Sequence, residues 1–396
     1  MAAAAVRPQP RPSRRAVLLG ALMLGACQTV VPRAAAPPPI ERPAPAPEAT
    51  QPEVERGLPR DIQRHRVALL VPLSGPNAGV GQSIANATML ALLDTQNEQV
   101  RITNYDTAGG AVAAAQRAIA EGAELILGPL LADDVRQVAP IARAARVPVV
   151  GFSNDAGAAS AGAYLMGYLP AQSIARVVDY ARSRGLGSFA GLVPNGLYGE
   201  RASTAFLRSV EGAGGQVVSL QTYARAPAAI AQAVTRLNAK APYDAVLVAD
   251  SGSTAAIAAP LVKRGSPSAH LLGTELWNSE AGVAAKPQLS GAWFASVSDA
   301  LYRQYAAKYR ARFGRAPYRL SSLGYDAVLL TVRIARDWPV GTAFPEARLR
   351  DPGGFAGIDG AFRFGRDGVA ERALEVQEIR GGTTVVVSPA PSGFGR

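Results

Sequence analysis

The chain has 396 residues, 48% of them hydrophobic, with 41 basic and 30 acidic side chains and a formal charge of +11. That length holds two lobes with separate cores, and a single cysteine excludes an intramolecular disulfide. The arginines are scattered, lysine occurs only at Lys240, Lys263, Lys286 and Lys308, and no basic run is interleaved with aromatics, so no nucleic-acid partner is supported.

Residues 1–15 carry Arg7, Arg11, Arg14 and Arg15 and no acid, and Ala16 to Ala26 is an unbroken run of apolar and small residues. This is the layout of an export signal; the run is shorter than the roughly 20 residues of a membrane span. Leu24-Gly25-Ala26-Cys27 resembles the lipobox of bacterial lipoproteins, which implies that Cys27 is acylated and becomes the new N-terminus. Gln28, where an aspartate would signal retention, implies outer-membrane sorting by the same resemblance. Ser13-Arg14-Arg15-Ala16-Val17-Leu18 also resembles a twin-arginine signal, with Val17 where that pattern prefers Phe, so the export route stays open. Residues 1–26 are therefore expected to be a signal peptide. Residues 27–63, rich in Pro and Ala, are expected to form a semi-rigid, extended spacer.

From residue 64 the pattern alternates. Apolar strands are expected at 66–73, 100–106, 123–130 and 147–152, with helices at 81–96 and 111–122 and another over "DDVRQVAPIARAAR". A second series follows: helices at 171–185 and 199–215, strands at 188–194, 216–223, 243–250 and 270–275, and two further helical stretches between these strands. Uniformly apolar strands alternating with helices mean parallel sheets covered on both faces. Two long helices (299–314 and 320–338) and a group of antiparallel strands around a "RDG" turn complete the 64–390 domain. The fold class is α/β: two Rossmann-like lobes with parallel sheets joined by several crossovers. Lobe 1 is expected at about 64–168 plus 297–345, and lobe 2 at about 169–296 plus 346–390.

Catalytic motifs fail on inspection. Gly79-Val80-Gly81 begins a dinucleotide fingerprint, but Ile84 stands where its third glycine belongs. Ser153 follows a strand without the second glycine of a nucleophile elbow. His65 and His270 enter strands, Asp133-Asp134 suits a helix start, and metal-ligand spacing is missing. No enzyme activity, cofactor or metal is expected. In open α/β sheets ligands bind at the carboxyl ends of the strands. The polar and aromatic residues there are Ser74, Asn77, Ser153, Asn154, Tyr198, Glu200, Asp250, Ser251, Glu275 and Trp277. As a set they are expected to line one cleft for a small polar molecule.

"VALLVPLSGPNAGVGQSIANATMLAL", "YDTAGG", "GAELILGPLLADDVRQVAPIARAARVPVVGFSND", "GLYGE", "YDAVLVAD" and "LGYDAVLL" resemble, in that order, type I periplasmic binding proteins of the leucine/isoleucine/valine group. The resemblance covers roughly 64–390 and implies that family's two-lobed fold. With "LGPLL", the lipobox and the spacer, the chain is most similar to penicillin-binding protein activator lipoproteins. This implies a non-catalytic periplasmic lipoprotein that docks on a peptidoglycan synthase from the outer membrane. The alternative is the substrate-binding lipoprotein of an ABC importer, whose partner is an ABC permease. In such importers hydroxyl-bearing loops hold a ligand carboxylate, an acid holds its ammonium and an aromatic covers it. The matching positions are Leu131-Ala132-Asp133 and Phe152-Ser153-Asn154, with Tyr198 as the aromatic and Asp250 or Glu275 as the acid. Ala132 and Asp133 depart from the hydroxyl-rich pattern, and an aspartate there repels a carboxylate.

Overall fold

The computed structural model describes residues 63–394 except 241 and 392. The expected export signal, Cys27 and nearly all of the spacer lie outside those residues. The described chain opens with β1 (His65–Val71), α1 (Ala78–Thr95), β2 (Val100–Asp106), α2 (Ala111–Ala120), β3 (Leu125–Leu127), α3 (Ala132–Ala144), β4 (Val149–Gly151) and β5 (Ala163–Leu165). Its strands form a parallel sheet in the order β2-β1-β3-β4-β5. Val67 to Val71 are all buried because helices cover both faces of the sheet.

A second unit follows: α4 (Pro170–Ser183), β6 (Ser188–Pro194), α5 (Leu197–Gly212), β7 (Gln216–Tyr223), α6 (Pro227–Asn238), β8 (Ala245–Val248), α7 (Gly252–Gly265), β9 (His270–Gly273) and β10 (Trp293–Ser296). The chain then returns through α8 (Ala300–Phe313), α9 (Ser321–Ala335), β11 (Phe355–Gly357), β12 (Gly360–Phe364) and β13 (Ala370–Arg372) before ending in β14 (Glu375–Arg380) and β15 (Thr383–Ser388). The second sheet runs β15-β14-β10-β9-β8-β6-β7, parallel except where β14 and β15 join antiparallel. Strands β11 to β13 form a small antiparallel sheet of their own.

The small sheet lies elsewhere than the sequence suggests. Residues 346–390 are expected with the second lobe, yet Leu349, Phe355, Phe362 and Phe364 share one core with Ile84 and Leu90 of α1 and Leu323 and Val328 of α9. The reason is aromatic packing: Phe355 stacks on Phe362 at 5.6 Å, and Phe364 meets Tyr164 of β5 edge-on at 5.3 Å. Only β14 and β15 rejoin the second sheet, where Ile379 and Val376 enter its cores. Three crossings therefore connect the lobes, at residues 166–169, 297–299 and 373–374. Strands β5 and β10, unexpected from sequence, each end where a crossing begins.

Candidate functional site

All three crossings meet around Tyr168. Its phenol donates to Asp359 of the β11–β12 turn. Arg319, just before α9, donates to Asp359 at 2.7 Å, to Ser322 Oγ at 2.9 Å and to Tyr168 Oη at 3.3 Å, and pairs with Asp299 at 3.5 Å. Its guanidinium also sits 3.9 Å from the ring centre of Tyr302, a cation–π contact. Arg372, the last residue of β13 and next to the third crossing, closes the cluster, donating to Met166 O at 2.6 Å with its guanidinium 5.1 Å from the Tyr168 ring. Burial opposes the charge on Arg319, but Asp359, Tyr168 and Asp299 together hold its pKa above the ordinary value. Beneath them Asp326 is fully buried, accepts from Ile358 N at 2.7 Å, and has its pKa pushed up by burial and then by Asp359.

Next to this clasp is a cavity of about 20 Å³ whose walls include Tyr168, Ser173, Glu275, Ser296, Arg319 and Arg372. That is room for one water. On its second-lobe side Tyr198, in the first turn of α5, donates to Glu275 Oε1 at 3.0 Å and meets Thr274 Oγ1 at 3.0 Å. Ser173 of α4 donates to the other Glu275 oxygen. Burial lifts the Glu275 pKa while the bonds from Ser173 and Tyr198 pull against it. Burial, and then the Glu275 carboxylate, raise the Tyr198 phenol.

Asp250, at the end of β8, is already paired. It accepts from Arg225 Nε at 2.9 and 3.2 Å, from Tyr223 Oη at 3.0 Å and from Ser251 N at 2.8 Å. The Asp250 hydrogen bond in turn raises the Arg225 pKa. Trp277, expected on the cleft surface, is instead fully buried in the second core, its Nε1 donating to Asp250 O at 3.1 Å. Gly273 makes the space: a Cβ there would stand 2.4 Å from the indole. Trp277 thus braces the β8–α7 turn from behind rather than facing a ligand.

On the first-lobe side, Ser74 is exposed and donates to Asp106 Oδ2 at 2.7 Å, while Leu73 N and Ala108 N bond Asp106 Oδ1 at 2.8 and 2.9 Å. Asn77 is exposed at the start of α1 and makes no side-chain cap bond. Ser153 is buried and accepts from Asp155 N at 3.1 Å; Asn154 beside it is exposed. Asp133 projects into solvent and pairs with Arg136 at 2.7 Å. The structure thus joins Tyr198 to Glu275 and Trp277 to Asp250. Among the described residues no hydrogen bond links Ser74, Asn77 or Asn154 to either pair.

Sequence reasoning missed the residue that spans the lobes. Asp155 is only 6% exposed; its Oδ2 accepts from Arg136 of α3, its Oδ1 accepts from Gly157 N at 3.0 Å, and the same Oδ1 forms an ion pair with Arg201 Nη2 of α5 at 2.7 Å. The one available signal was an acid next to Ser153 and Asn154 at a strand end; the partner arginine lies 46 positions away on another sheet's helix.

Comparison with known proteins places the chain. The model of the periplasmic binding protein family matches residues 65–383. An uncharacterized protein of Rickettsia prowazekii is 24% identical over 174 residues, 43% of this chain and 47% of that protein, so the match spans under half of the relative's length. An ABC transporter substrate-binding protein from Sphaerobacter thermophilus superposes with a TM-score of 0.69 at 20% identity, covering 82% of this chain and 96% of that one. Haemophilus influenzae LpoA superposes with a TM-score of 0.66 at 19% identity, covering 85% of this chain and 60% of LpoA. At these identities the two superpositions speak to fold.

Proposed function

The chain belongs to the periplasmic binding protein family, and from that premise we propose that it is a non-catalytic periplasmic lipoprotein, anchored to the outer membrane through Cys27. Its partner would be a peptidoglycan synthase of the penicillin-binding protein class, which it docks on and activates. The two-lobed fold then serves as a docking body rather than as a solute carrier. The observation that carries this reading is the state of the cleft. The polar groups suited to hold a solute are engaged with each other: Asp250 with Arg225, Glu275 with Tyr198 and Ser173, Asp155 with two arginines. The cavity beside Glu275 and Ser173 is about 20 Å³, against the roughly 300 Å³ or more of a small-molecule pocket.

The second reading is the substrate-binding lipoprotein of an ABC importer for branched-chain amino acids, amides or a similar solute. It is favoured by the convergence of Glu275, Ser173 and the hinge arginines on one cavity, with Tyr198 bonded to Glu275. Two measurements separate the readings. A thermal-shift panel of amino acids, amides, polyamines and peptidoglycan fragments stays flat for the regulator; a bound solute at a hundred times its Kd adds about 2.7 kcal/mol. Co-purification with penicillin-binding proteins, followed by assay of glycan polymerisation, then tests the partner. A solute hit with no synthase contact turns the assignment to the importer. Fatty-acid labelling with membrane fractionation tests the anchor, and unmodified Cys27 in a soluble fraction removes it.

A further inference from the structure

In two-lobed binders of this kind, closure by hinge bending is ordinarily set by a ligand that touches both lobes. Here a side chain does so. Asp155 stands on the loop after β4 of the first sheet, and Arg201 on the second turn of α5, which follows β6 of the second. Their 2.7 Å ion pair crosses from one lobe to the other. Arg136, bonded to the opposite oxygen of the same carboxylate, belongs to the first lobe and fixes Asp155 from its own side.

The loop is built around this carboxylate. Asp155 N donates to Ser153 Oγ and Gly157 N donates to Asp155 Oδ1, so the acid is oriented before any arginine arrives. Gly157 keeps the approach open, since a Cβ at that position would stand 2.7 Å from Arg201 Nη2. The carboxylate is 6% exposed whereas Arg136 and Arg201 are 39% and 44% exposed. A buried anion held by two half-solvated cations favours the arrangement that brings both cations in. Opening the lobes removes Arg201 alone.

We propose that Asp155, Arg136 and Arg201 form a ligand-independent latch that holds the lobes closed, with Arg201 as its movable half. The inference concerns the lobes alone and holds whichever partner the protein serves.

The test uses the full chain with Cys27→Ser and spin labels at Gly109→Cys on the first lobe and Ala228→Cys on the second. Both sites are exposed loop or helix-start positions away from the latch. Pulsed dipolar spectroscopy then reads the inter-lobe distance. Arg201→Ala is expected to raise the open fraction about tenfold, the effect of losing one partly buried ion pair. Asp155→Asn, isosteric and therefore gentle on the fold, is expected to do the same, and Arg201→Lys to stay closed. Arg136→Ala is expected to leave the distance close to that of the parent, because it lies within one lobe. The proposal is overturned if Arg201→Ala and Asp155→Asn both keep the parent distance distribution. It is equally overturned if Arg136→Ala opens the lobes as far as Arg201→Ala, which would make the trio a brace for one loop.

Discussion

Two polar clusters tie the same two lobes together, and they are built on opposite terms. At the hinge, Arg319 and Asp359 are 6% and 0% exposed and are enclosed by Tyr168, Tyr302 and Arg372. At the cleft, Asp155 is equally buried, but both of its arginines keep roughly two-fifths of their surface in water. A fully desolvated ion pair cannot be opened without stranding a charge. A pair whose cation stays half-hydrated, and whose anion keeps a second arginine, opens without stranding either charge. The hinge cluster therefore belongs to the stability of the fold, and the cleft cluster to its conformation.

The largest expected effect strikes the hinge. Arg319→Ala strands Asp359 and is expected to cost about 3–5 kcal/mol in urea unfolding; a loss below about 1 kcal/mol would place the two clusters in one class. Next comes a pH effect. The folded pKa of Asp326 is raised from 3.8 to about 8, so the fold holds the protonated acid more tightly than the unfolded chain does. That stabilisation is complete below the ordinary carboxylate range and is lost as pH rises through the folded value. Asp326→Asn, which mimics the protonated acid, is expected to flatten the Tm between about pH 4 and about pH 8 and to exceed the parent at the alkaline end. A parallel pair of Tm curves would show Asp326 ionised in the fold. Arg225→Ala, which leaves the buried Asp250 carboxylate with Tyr223 and Ser251, is expected to cost about 1–2 kcal/mol. The smallest change in stability is expected for Arg201→Ala, about 1 kcal/mol, although it moves the lobes most. If its unfolding cost matched that of Arg319→Ala, the division between hinge and cleft would fail.

Much of the fold was legible because its signals are local. Strands β2, β6 and β7 have the bounds expected from sequence, and α8 stops at Gly314, which takes the left-handed φ of +70° suited to a helix end. Strands β5 and β10 were missed because each is entered from a loop, outside the helix–strand alternation that marked the equally short β3, β4, β8 and β9. The small sheet was assigned to the wrong lobe because its sequence records the strands but not the face that Phe355, Phe362 and Phe364 seek. The candidate site was legible only as a set of loop ends. Arg225 follows β7 and Asp250 follows β8, strands that flank β6 in the sheet, so their pairing depends on strand order. Trp277 reads as a cleft aromatic until Gly273 is seen to leave a slot for it underneath. Asp155 and Arg201 meet only once both lobes exist.

The return of α9 and the small sheet to the first lobe bears on how the protein is made. Chains emerge N-terminus first, and β1 to β5 are complete by residue 165, but α9 and the phenylalanines that finish their core lie at 321–364. Until those residues arrive, the face of the sheet under α1 is half-covered while the entire second lobe is being delivered. Contacts separated by some 240 positions, such as those between α1 and α9, carry a high loop-closure cost and form slowly. The nascent first lobe thus keeps one apolar face half-covered while residues 166–320 are made, and truncations that remove α9 or the small sheet are expected to leave it so.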